Sequence, residues 1–133
     1  MPRSLAVLLL ALAPTLAAQE PDFTAEGEQA VALLQAMIRI DSSSPPGNET
    51  EVCELIREIL AAEGIESHIY EMEPGRGNLV ARIEGNGSKR PILLMGHIDV
   101  VGVERDQWSV DPFAGLIRDG YVWGRGAQDD KGM

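Results

Sequence analysis

The chain has 133 residues, with 11 Lys+Arg against 21 Asp+Glu, a formal charge of −10, one Cys and 44% apolar side chains. Length bounds it to a single globular domain, and the acidic balance excludes nucleic acid and anionic membrane surfaces as partners, since both demand clustered cations. A lone Cys excludes an intramolecular disulfide, and the apolar content excludes wholesale disorder.

In chain order, Arg3 precedes an apolar run from Leu5 to Ala13, and Pro14 leads into the small residues Ala17 and Ala18. A short positive start, an apolar stretch of this size and an Ala-rich exit predict a secretory signal peptide over residues 1–18. The run is too short to cross a bilayer, which takes about 20 apolar residues. No Cys stands at the cleavage point to carry a lipid. Residues 19–133 are therefore expected to work in a periplasm or outside the cell, free of the membrane once the signal is removed.

A first helix is predicted from Thr24 to Arg39, where Val31, Leu34 and Ile38 share a side with Leu33, Met37 and Ile40. Thr24 is the expected N-cap, and Glu26 and Glu28 put negative charge in the first turn. The string Asp41-Ser-Ser-Ser-Pro-Pro-Gly47 ends it. Val52, Leu55, Ile56, Ile59 and Leu60 set out a second helix, with Asn48 and Glu51 resembling a capping box and Gly64 suited to C′. Cys53, at the edge of its apolar stripe, reads as a small core residue.

Strands are expected at Ile65–Glu71 and Gly77–Ile83, then at Pro91–Met95, whose continuous apolar run suits a strand covered on both faces. Leu116–Arg118 and Tyr121–Trp123 flank Asp119-Gly120, a two-residue hairpin signal. Helices followed by strands, one of them fully buried, predict an α/β class: a three-layer mixed sheet flanked by helices.

Two constellations carry candidate chemistry. In Gly96-His97-Ile98-Asp99, the two polar residues are two apart, so an extended chain points both to one face. There a carboxylate can take the far N–H of a metal-bound imidazole and fix its tautomer. A salt-linked His–Asp pair at a strand terminus accounts for the same motif equally well. In Gly124-Arg-Gly-Ala-Gln-Asp-Asp-Lys-Gly132, adjacent carboxylates offer hard oxygen ligands beside permissive glycines, although Asp129-Asp130 alone also suits a solvated turn. His68 reads as an edge residue and Trp108 as a loop anchor. Arg76 is a candidate for a substrate carboxylate within what otherwise reads as a plain turn.

Taken together, three segments resemble a co-catalytic zinc hydrolase family. They are Leu93-Leu-Met-Gly-His97-Ile-Asp99, Trp108-x-x-Asp-Pro-Phe-x-Gly115, and Asp119-Gly-Tyr-Val-Trp-Gly-Arg-Gly-Ala-Gln-Asp129-Asp-Lys-Gly-Met133. The family includes acetylornithine deacetylase, succinyl-diaminopimelate desuccinylase, aminoacylase and glutamate carboxypeptidase. The likeness extends upstream through Ile40-Asp-Ser-Ser-Ser-Pro-Pro-Gly-Asn-Glu49 and Gly77-Asn-Leu-Val-Ala-Arg82. It implies His97 as a metal ligand, Asp99 as the catalytic-site carboxylate orienting it, and Asp129 as the aspartate bridging two Zn²⁺. Co²⁺ or Mn²⁺ would suit the same donors. It also implies a cis bond after Asp129.

The implied reaction is hydrolysis of a peptide or N-acyl amide bond in a small substrate, with a carboxypeptidase or dipeptidase fitting export best. The family's Glu-Glu pair occurs nowhere in this chain. Its later ligands and lid domain have no counterpart either, and any homodimer would form through that lid. The resemblance therefore implies that residues 19–133 are the N-terminal portion of a zinc-exopeptidase-like catalytic domain, inactive alone. Two other readings stay open: a non-catalytic, truncated exported binding module, and a deacylase of N-acyl amino acids.

Overall fold

A computed structural model describes residues 22–133; the predicted signal peptide at residues 1–18 lies outside the described residues. Helix α1 spans Thr24–Arg39 and α2 spans Glu49–Ala62. Strands β1 (Ser67–Glu71) and β2 (Gly77–Ala81) form one antiparallel pair. Strands β3 (Leu116–Arg118) and β4 (Tyr121–Trp123) form another, with a 3₁₀ turn at Arg105–Gln107 between the two hairpins.

Both helices keep their expected bounds, but their caps differ from the sequence reading. Thr24 is the first helical residue, and Asp22 does the capping: its Oδ1 accepts from the Thr24 backbone N–H at 3.0 Å and from Thr24 Oγ1 at 2.6 Å. An ionised carboxylate is the stronger acceptor for an orphan N–H, and it holds the hydroxyl as well. Asn48 occupies the N-cap of α2, yet its Nδ2 donates to Glu51 Oε2 at 2.5 Å instead of its oxygen capping the backbone. The Thr50 N–H is satisfied from further away, by the Gly75 carbonyl at 3.0 Å. The C-terminus of α2 closes as expected, with Gly64 at φ +72°. Gly64 N–H donates to Ala61 O and Ile65 N–H to Leu60 O, the paired bonds of a Schellman motif.

Helix α2 packs on the β1–β2 hairpin. Val52 and Cys53 are fully buried there, and the Cys53 thiol lies 3.4 Å from the Gly77 carbonyl. Its neighbourhood pushes the thiol pKa up, chiefly by desolvation. Cys53 is thus a core residue. The second hairpin turns where Asp119-Gly120 predicts, with φ values of 55° and 79°, the two left-handed residues of a type I′ turn.

The α/β class stands, but the sheets formed by the described residues are two antiparallel pairs, and a continuous three-layer mixed sheet is not among them. The segment 91–95, predicted as a strand covered on both faces, is unpaired: Ile92, Leu93, Leu94 and Met95 are 78–83% exposed. A buried strand needs neighbours to take its backbone donors and helices to cover its faces. The described residues place neither beside it.

Just beyond that segment the chain is anchored. Ser43 and Val100 form a parallel bridge, Ser44 N–H donating to Val100 O at 2.9 Å and Val100 N–H to Ser42 O at 3.1 Å. Buried Ser42 adds a bond from Oγ to Ile98 O at 2.6 Å. The core beneath this junction comprises Met37 and Ile38 from the end of α1, Val100, and the fully buried Pro112.

Candidate metal centre

The Ser42–Val100 junction fixes the backbone that carries His97 and Asp99. His97 Nδ1 lies 3.1 Å from Asp99 Oδ1 and 3.1 Å from Asp99 O, so the spacing of two does bring carboxylate and imidazole together. The opposite ring nitrogen, Nε2, lies 2.9 Å from Asp129 Oδ1, across 32 residues of sequence. Asp130 contributes as well: its Oδ2 accepts the His97 backbone N–H at 3.2 Å. One imidazole is therefore bracketed by Asp99 and Asp129, with Asp130 holding the backbone behind it. Hydrogen bonding to Asp129, then to the Asp99 backbone, raises the His97 pKa above its usual 6.5.

Asp129 reaches this position on a loop folded tightly after β4. Arg125 N–H donates to Pro112 O at 2.7 Å, and Lys131 N–H to Gly126 O at 3.0 Å. Gly126 has φ +83°, and a Cβ there would stand 2.7 Å from Val100 Cγ1. The loop therefore lies directly on the strand end that carries the histidine, a closeness that glycine permits. The Asp129–Asp130 peptide is cis, as the resemblance implies. Beyond it, Lys131 is 2% exposed and its Nζ donates to Met37 O and Ile40 O, at 2.9 Å each. Burial pulls its pKa down to about 8, against the attraction of Asp41.

The cluster is open to solvent, with His97 about half exposed and Asp129 almost fully so. It borders a cleft of about 470 Å³ whose other walls include Trp108, Trp123 and Arg125. Arg125 lies over the Trp108 ring, 5.2 Å from its centroid, so Trp108 does hold its loop to the rest of the site.

Imidazole nitrogen and carboxylate oxygen suit zinc and related divalent cations. Two ligands of one tetrahedral Zn²⁺ lie about 3.4 Å apart for metal–ligand lengths of roughly 2.0–2.2 Å. The observed 2.9 Å between Nε2 and Oδ1 is a hydrogen-bond distance, and the side chains need open by only about half an ångström to admit the ion. With Nδ1 protonated and donating to Asp99, the Nε2 lone pair faces that gap. Among the described residues no group of three or more His, Cys, Asp or Glu gathers to hold a metal. These two donors fit a part of a metal site.

The weaker candidates resolve plainly. Arg76 Nε pairs with buried Glu49 Oε1 at 3.0 Å and its terminal nitrogen donates to Ser44 Oγ at 3.2 Å, so its guanidinium staples the chain. His68 lies exposed on β1, 3.5 Å from Glu66. Sequence reasoning overlooked Asp130 as the acceptor for the His97 backbone and Lys131 as a buried donor. Their position beside Asp129 was the available signal.

The fold and this cluster define a class, an α/β unit that presents an imidazole between carboxylates at the rim of a cleft. Residues 93–133 match peptidase family M20/M25/M40. The chain is 38% identical over 104 residues to a probable succinyl-diaminopimelate desuccinylase of Staphylococcus epidermidis, covering 77% of this chain and 24% of that protein. It is 39% identical over 102 residues to a succinyl-diaminopimelate desuccinylase of Cereibacter sphaeroides, covering 76% and 26%. It is 33% identical over 109 residues to an N-formyl-4-amino-5-aminomethyl-2-methylpyrimidine deformylase of Halalkalibacterium halodurans, covering 79% and 26%. These matches support peptidase family M20/M25/M40 for the chain, the family model itself covering residues 93–133. It spans about a quarter of the length of the curated relatives it matches.

Proposed function

We propose that this chain supplies the first part of the metal centre of an amide-bond hydrolase, with His97 and Asp129 as ligands and Asp99 orienting the imidazole. The observation that carries the reading is the 2.9 Å approach of His97 Nε2 to Asp129 Oδ1, with Asp99 on the opposite ring nitrogen. A bound divalent cation, Zn²⁺ by donor chemistry, supplies Lewis acidity toward an amide carbonyl and lowers the pKa of water. This chain's own part is positional. Asp99 accepts the Nδ1–H hydrogen bond and so keeps the Nε2 lone pair available to a metal, while Asp129 brings negative charge against it. By the resemblance, two Zn²⁺ would be held at this centre, with Asp129 among the residues that hold them.

The relatives' names concern removal of succinyl and formyl groups, which favours an N-acyl amide as substrate over the carboxypeptidase or dipeptidase reading. The leader expected from the sequence at residues 1–18 would put the protein to work outside the cytosol, which favours the peptidase reading. A panel of N-succinyl, N-formyl and N-acetyl amino acids beside dipeptides, assayed with the full-length gene product and Zn²⁺, separates the two. N-terminal sequencing of the exported product tests the leader.

On the leading reading, His97→Ala abolishes both turnover and metal uptake. Turnover that survives His97→Ala refutes it.

A further inference from the structure

The Asp129–Asp130 loop is folded on itself by short-range bonds: Ala127 N–H to Gly124 O, Lys131 N–H to Gly126 O, and Met133 N–H to Asp130 O. These set the loop's internal shape. They do not decide where its acidic end lies relative to the rest of the chain. Two links do that. One is the Asp130 carboxylate on the His97 backbone N–H, at 3.2 Å. The other is the Lys131 side chain, which crosses more than 90 residues of sequence to the C-terminal end of α1, to Met37 O and the cap residue's Ile40 O. Met37 O also accepts the Ile40 N–H of the C-cap turn at 3.3 Å, and both carbonyls stand at the negative end of the helix dipole, where an amine is well suited.

We infer that Lys131 is a positioning residue: by gripping the C-terminal carbonyls of α1, it holds Asp129 within reach of the His97 imidazole. This rests on the metal-site reading proposed above and adds to it a residue that touches neither metal nor substrate. Filling space alone would not select lysine. A buried amine costs desolvation that a methionine of similar length avoids, and the cost is offset by the two carbonyls it reaches and by the attraction of Asp41. The chain just after Ile40 joins the pieces: Ser42 O accepts the Val100 N–H at 3.1 Å and Ser42 Oγ donates to Ile98 O at 2.6 Å, next to His97. Lys131 thus ties the aspartate's loop to the scaffold that also seats the histidine.

The test uses the 133-residue chain with three variants, read by long-range proton–nitrogen correlation spectra of the His97 ring and by calorimetric titration with Zn²⁺. Lys131→Met is expected to lose the Nε2–Asp129 hydrogen-bond signature and to bind Zn²⁺ roughly 10–100-fold more weakly, the usual effect of removing a group that orients a ligand. Its helical circular dichroism should persist. Lys131→Arg, which keeps a donor at that depth, is expected to restore both readouts. Val52→Ala opens the core under α2, away from the loop, and is expected to lower stability while leaving the imidazole spectrum unchanged.

The inference is overturned if Lys131→Met shows the wild-type ring spectrum and zinc affinity, or if Val52→Ala produces the same losses. Failure of the wild-type full-length gene product to take up zinc, with the imidazole contact intact, defeats the metal-site reading instead. The ring spectra of the variants then still decide the role of Lys131.

Discussion

Gly126 and Gly64 offer a matched pair for separating backbone strain from packing. Both hold left-handed φ, +83° and +72°, but a Cβ on Gly126 would stand 2.7 Å from Val100 Cγ1, whereas one on Gly64 meets nothing within 4 Å. At either site alanine is forced into a conformation costing roughly 1–2 kcal/mol, offset by about 0.4–1 kcal/mol from a stiffer unfolded chain. Gly64→Ala should therefore destabilise by about 1 kcal/mol. Gly126→Ala carries the same strain plus an overpacking cost of about 1–3 kcal/mol, because Val100 is buried and bridged to Ser43 and so cannot simply withdraw. Its expected loss is about 2–4 kcal/mol in all.

Urea unfolding followed by circular dichroism measures both, and an unchanged m value is required for the comparison to hold. The Gly126 variant should also disturb the His97–Asp129 contact, since the loop would have to lift from the strand end that bears His97. Equal destabilisation of the two variants would refute the packing argument. A neutral Gly64→Ala would refute the strain argument.

Glu71 Oε1 accepts from Thr50 Oγ1 at 2.6 Å and from Gly75 N–H at 2.7 Å, and these bonds, the hydroxyl's first, lower its pKa below 4.5. A depressed carboxylate contributes stability that is present above the unfolded value and lost as pH falls through the folded one. Thr50→Val should therefore raise the Glu71 titration midpoint seen by NMR and shrink the acid-side fall in stability. His97 should titrate above 6.5 in the metal-free chain, and Asp129→Asn should bring it down, because Asp129 is the largest cause of the shift. A midpoint unmoved by that substitution contradicts the contact. Cys53, fully buried with its pKa raised by desolvation, should react with a thiol reagent only as fast as the chain unfolds. Rapid labelling under native conditions would place it elsewhere.

Local periodicity made α1 and α2 legible to the residue, since a helix's bounds follow from its apolar stripe and the breakers beside it. The Asp119-Gly120 hairpin was equally plain, as few residue pairs accept two consecutive left-handed conformations. The caps were misassigned because several side chains near a helix start compete for the same N–H groups. Geometry, not composition, lets Asp22 and the Gly75 carbonyl win at their respective sites. The apolar run at 91–95 promised a covered strand, but cover is a property of neighbours, and a single segment's sequence cannot provide them.

By itself the sequence determined the two helices and the Asp119-Gly120 hairpin, the pairing of His97 with Asp99, and the chemistry that nitrogen and oxygen donors could perform. Two residues on one extended stretch share a face whatever surrounds them. Only the tertiary structure decided that Asp129 closes on the other ring nitrogen, that Asp130 holds the histidine's backbone, and that Lys131 fastens their loop to the end of α1. Contacts across 32 to 94 residues depend on how helices and loops settle on a shared core, and short-range propensity carries no record of that.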